Sequence, residues 1–118
     1  MGFRESLEKV VEVEGAIAAS VMGFDGIPID TITPRDTELD IESMLVELAG
    51  ILGHVKQTAE VLQTGAIQEL SLGTDGLTTH LRPINADYFL LLAMHPDGNH
   101  GKGRFLLRVT APGLQKEF

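Results

Sequence analysis

Four histidines, at positions 54, 80, 95 and 100, are the side chains of this sequence best suited to bind a metal or move a proton near neutral pH. His95 and His100 flank Asp97, but they lack the i, i+4 helical spacing that makes a metal motif specific. They read as members of a polar surface loop, and His54 as a residue on the polar flank of a helix. The same stretch continues as Gly98-Asn99-His100-Gly101-Lys102-Gly103, a lookalike of a phosphate-binding loop. A Walker loop cradles phosphates with backbone N–H groups and holds magnesium through a Ser or Thr after its lysine. Here Pro96 stands where that loop needs its first glycine, and Gly103 stands where it needs the hydroxyl. The segment therefore reads as a glycine-softened connection into the last element.

Nucleophiles are no better placed. Cysteine is absent, which removes thiolate zinc sites and cysteine nucleophiles together. No G-x-S-x-G elbow occurs, and Ser20 has no glycine bracket. Glu8 and Glu12 stand i, i+4 on a solvated helix face, where like charges repel, and they do not resemble a desolvated acid–base pair. No catalytic residue, cofactor-binding residue or metal ligand is expected, and the chain reads as an interaction module, not an enzyme.

The elements that would carry such a role follow from pattern and length. The 118 residues suffice for one domain, 1–118, with a core of its own. No run approaches the roughly 18 apolar residues that a membrane span requires, and the N-terminus lacks a secretory pattern. A cytoplasmic location is the expectation. The net charge of −8 makes nucleic acid a poor partner. Lys102, Arg104, Arg108 and Lys116 gather late in the chain and read as a local balance of acids and of a helix end.

Phe3, Leu7, Val10 and Val11 recur at helical spacing and predict a short first helix that ends by Gly15. Ala16 to Met22 is an apolar strand, Asp25-Gly26 a tight turn, and Ile27 to Ile32 a partner strand that, with Pro28, lies at an edge or starts irregularly. A long helix runs from about Asp40, its cap, to Leu62, with Gly65 at its exit. Its apolar residues spread over about 160°, against the roughly 100° that packing on one sheet needs, so a second partner along one flank is expected. Gly50 and Gly53 interrupt the helix on another side, at about 1 kcal/mol each, which points to a backbone or ring passing close by. Ile67 to Leu72, Leu77 to Arg82 and Tyr88 to Met94 form a meander of strands, the last of them central. Phe105 to Val109 suits either a helix or a strand, ended by Pro112-Gly113.

Several of these segments fall into one pattern. Val13-Glu14-Gly15-Ala16-Ile17 followed by Phe24-Asp25-Gly26-Ile27-Pro28-Ile29 resembles the first hairpin of the roadblock/LC7 family, in its bacterial MglB-like branch. The long helix, the hairpin through Gly73 and Gly76, and Gly101-Lys102-Gly103-Arg104 occupy family positions too, in an order that covers nearly the whole chain. Gly23-Phe24 departs from the polar pair more usual before Asp25-Gly26. The resemblance implies an α+β, profilin/longin-like fold, α-β-β-α-β-β-β-α. Its five-stranded antiparallel sheet lies between a long helix and two terminal helices, so it favours a helix for Gly103 to Ala111.

The resemblance also implies a dimer in which the third strands pair edge to edge and the long helices lie side by side. This maps onto Met44, Leu48, Ile51 and Val55, with Gly50 and Gly53, and onto Ile67, Glu69 and Leu70. A charge at Leu48 or Ile51 would then break the dimer. The function it implies is a homodimeric, non-enzymatic regulator that binds the switch regions of a Ras-like small GTPase. The alternative is a structural adaptor dimer of the dynein light chain type, without effect on nucleotide turnover. Arg35 is the arginine best placed to reach a nucleotide, but no family motif assigns it that role.

Overall fold

The computed structural model describes residues 2–118. Among them the chain folds as α1 (Phe3–Val10), β1 (Ala16–Gly23), β2 (Pro28–Ile32), α2 (Ile41–Leu62), β3 (Leu70–Gly73), β4 (Thr78–Pro83), β5 (Tyr88–Met94) and α3 (His100–Leu114), with a closing 3-10 turn over Gln115–Glu117. The five strands form one antiparallel sheet in the order β2-β1-β5-β4-β3. The apolar β5 lies at its centre, and Pro28 lies on the edge strand β2, where its missing N–H leaves no ladder bond unmade.

Strand alternation divides the core in two. Leu90, Leu92 and Met94 of β5 join Leu7 and Val10 of α1 and Leu107, Ala111 and Leu114 of α3 on one face. Phe89, Leu91 and Ala93 join Leu45, Leu48, Ala49 and Leu52 of α2 on the other. The long helix therefore covers one side of the sheet and the terminal helices the other.

Boundaries shift where side chains or prolines decide them. The predicted third strand begins at Ile67, but pairing starts only at Leu70, opposite Leu81. Extending the ladder backward runs into Pro83, which has no N–H to donate. Asp40 caps α2 as expected, its carboxylate accepting from the Ser43 N–H at 3.2 Å. Its other end closes on Gln63, which takes the left-handed conformation (φ 56°), with Gly65 (φ 94°) turning the chain two residues later. The last helix starts at His100, earlier than Gly103, with Asn99 accepting from the Lys102 N–H at 3.1 Å. It also continues through Pro112, because Ala111 and Leu114 are held in the core and Gln115 donates to the Ile84 carbonyl at 2.7 Å.

Candidate partner-binding surface

Each side of α2 meets a different environment. Leu45, Leu48, Ala49 and Leu52 point into the sheet. Met44 and Val55 are half-buried at the margin, and Ile51 is 40% exposed. The outward side carries Val46 and Val61, with Val61 75% exposed and Leu62 also exposed nearby. Gly50 and Gly53 lie on that outward side, and a Cβ built on either meets nothing within 4 Å. Among the described residues no backbone or ring approaches them, so the close contact expected of these glycines is not made there. Lys56 anchors the second half of the helix, donating to the Ala86 carbonyl while its ammonium stands 4.4 Å from the Phe24 ring centre.

Leu48 is 6% exposed and packs in the core. A charge there would attack the fold and report nothing about a partner, so that substitution cannot serve as an interface test. The other interface residues divide by place. Met44, Ile51 and Val55 form a partly open flank, while Ile67 and Leu70 are half-buried against the same core that α2 covers. The flank and the β3 edge thus lie on one face of the molecule. β3 is a four-residue edge strand with an unpaired outer side, and Leu72 is exposed on it. Glu69 is committed within the protomer, holding the Arg104 guanidinium at 2.8 Å. Where α2 ends, a cleft of about 740 Å³ opens between Ala59, Gln63, Ile67 and Ile84, mostly apolar in its lining.

The glycine-rich loop has a packing role. Gly15, at φ 94°, lies so close to Gly98 that a Cβ on it would stand 2.6 Å from the Gly98 Cα. Asn99 donates to the Glu14 carbonyl at 2.9 Å, and His95 to that of Gly15 at 2.8 Å. Gly103 lets α3 press onto β5, because a Cβ there would meet the Met94 sulfur at 2.8 Å.

Sequence reading missed one polar constellation. Ser71 Oγ lies 2.7 Å from His80 Nδ1, His80 Nε2 lies 2.9 Å from His100 Nδ1, and His100 Nε2 lies 2.8 Å from the Pro96 carbonyl. A carbonyl only accepts, so His100 carries its proton on Nε2. In the neutral network His80 Nε2–H then donates to His100, and the Ser71 hydroxyl donates to His80. Burial, first, and the neighbouring His100 and Arg104 hold the His80 pKa down to about 4. The available signal was the pairing of Ser71 opposite His80 across the hairpin, which needs the strand register to be seen. Among the described residues, no group of three or more His, Asp or Glu side chains is placed to hold a metal ion. No described helix is long and apolar enough to cross a membrane.

The fold and this surface can be set beside known proteins. Neither a family model nor a curated protein matches the sequence. Among solved structures, MglC from Myxococcus xanthus is 49% identical over 100% of both chains, with a TM-score of 0.73. A Roadblock/LC7 domain from Streptomyces avermitilis superposes with a TM-score of 0.84 at 9% identity, over 99% of this chain and 98% of that one. The chain belongs to the roadblock/LC7 family. The gliding protein MglB from Thermus thermophilus shares the fold as well, with a TM-score of 0.84 at 16% identity over 96% of this chain and 85% of that one. The roadblock architecture places the long helix alone on one face of the sheet, with the edge of β3 beside it.

Proposed function

We propose that the protein acts as a homodimer that regulates a Ras-like small GTPase by binding its switch regions, with no catalytic residue of its own. The observation that carries this reading is the apolar surface left on α2 once its sheet-facing side is buried: Val46, Ile51, Val61 and Leu62 all remain exposed. A helix that is apolar on most sides is ordinarily enclosed, and the protomer encloses only one. The flank of Met44, Ile51 and Val55 beside the open β3 edge suits a second copy of the chain. The outward row of Val46, Gly50 and Gly53 is low enough for a partner to approach the helix backbone closely. The kinship with MglB-like proteins, regulators of Ras-like GTPases, supplies the partner class.

Light scattering over a range of concentrations tests the dimer, which is expected at micromolar protein and lost in Ile51→Glu with an unchanged circular dichroism spectrum. A wild-type monomer at high micromolar concentration would count against the mapping. Mixing with the Ras-like GTPase of the same genome and following GTP hydrolysis tests the regulator. Absence of binding removes that reading, and binding without a rate change leaves the adaptor.

A further inference from the structure

On the face of the sheet opposite α2, basic side chains are left without acids. Arg82 of β4 joins Arg104, Phe105 and Arg108 of α3, with Glu69 and Gly101, around a cleft of about 350 Å³. α3 contains Lys102, Arg104 and Arg108 and no Asp or Glu at all. Glu69 pairs with Arg104. Among the described residues, Lys102, Arg82 and Arg108 have no carboxylate partner, and Arg108 rests 5.4 Å from the Phe105 ring centre. Three guanidiniums thus share one carboxylate in a chain with 17 acidic and 9 basic residues. In so acidic a protein, acids were available to neutralise this cleft, and they lie elsewhere. Phe105, 49% exposed, and Val109, one turn on, add an apolar strip along the same helix.

We infer that this cleft is a docking site for an acidic segment of another protein, its carboxylates received by Arg82 and Arg108 and an apolar side chain between them set against Phe105. Guanidinium forks match carboxylates in two parallel hydrogen bonds, which gives such a site geometry as well as charge. An occupant of slender shape is required. α1 packs beside α3 on the same face, and its Glu5 and Glu8 are exposed. Lys9 and Lys116 line the seam between the two helices, and it is the size of the cleft, about 350 Å³ beside Arg82 and Arg108, that suits one extended segment over a bilayer or duplex. The site lies across the sheet from α2 and stands apart from the GTPase reading.

The test uses the full chain and a fluorescein-labelled peptide of repeating Glu-Glu-Leu units, followed by fluorescence anisotropy. The wild type is expected to bind it, and Arg82→Gln with Arg108→Gln to weaken it about tenfold or more. Arg108→Lys, which keeps the charge and loses the fork, should recover only part of the affinity. Phe105→Ala should weaken the Leu-containing peptide more than one of Glu and Ser. Binding to the double variant at wild-type strength overturns the inference. So does no binding by the folded wild type, equal binding of a Lys-Lys-Leu peptide, or preferential binding of phosphatidylglycerol vesicles.

Discussion

His80 is 4% exposed, enclosed between the β3–β4 hairpin and the start of α3, where a second proton has nowhere favourable to sit. Protonating it puts the second proton on Nδ1, where the Ser71 hydroxyl must turn from donor to acceptor, and a charge beside His100 and the Arg104 guanidinium, while Glu69 offsets only part of the cost. A folded pKa near 4, below the ordinary 6.5, means that the unfolded chain binds this proton first as the pH falls. His80 therefore contributes its stability in full above pH 6.5, and that contribution is lost as the pH drops through the window down to about 4. The loss should reach roughly 2 to 3 kcal/mol. Urea unfolding at pH 7, 5.5 and 4.5 measures it, and His80→Gln should flatten the difference. An identical pH slope in the variant would remove His80 as the cause. None of this was legible residue by residue, because a histidine in a strand reads the same whether its ring meets water, a serine or a second histidine.

Among the elements, α2 poses the sharpest question, since its two glycines cost helix propensity and gain nothing inside the protomer. Alanine at Gly50 or Gly53 fits without contact, so each single substitution should stabilise the isolated chain by about 1 kcal/mol in thermal or urea unfolding. If a partner packs on that row, the same variants bind the GTPase more weakly. Stabilisation with unchanged affinity would place the partner elsewhere. Element type was legible for the helices and strands with clear periodicity: the apolar run of β5, the helical spacing of α1 and the Asp40 cap of α2 were all evident. The start of β3 and the end of α3 were not. One depends on which residue faces Pro83 across the ladder, and the other on core contacts strong enough to carry a helix past Pro112.

Across the whole molecule, Leu48 and Ile51 show how the fold sorts residues of one apolar arc. Leu48→Ala empties a core position and should cost about 2 to 5 kcal/mol of stability, with little meaning for assembly. Ile51→Ala, on the open flank, should change the unfolding of the protomer by less than about 1 kcal/mol and still weaken the dimer measured by light scattering. Equal destabilisation by both would place Ile51 in the core.

The order of helices and strands as far as β5 and the excess of apolar surface on the long helix were determined by the sequence itself, in periodicity, turn residues and caps, which act over a few neighbouring positions. The class of fold and the helical state of the last element were legible only through the resemblance to the roadblock/LC7 family, because Phe105 to Val109 suits a helix or a strand by pattern alone. Only the tertiary structure decided which side of α2 remains open, that Gly98 answers to Gly15, and that Ser71, His80 and His100 join across the hairpin. It alone also brought Arg82 to the cleft beside Arg104 and Arg108. These relations link residues distant in sequence, and they exist only once sheet register and helix rotation have been set.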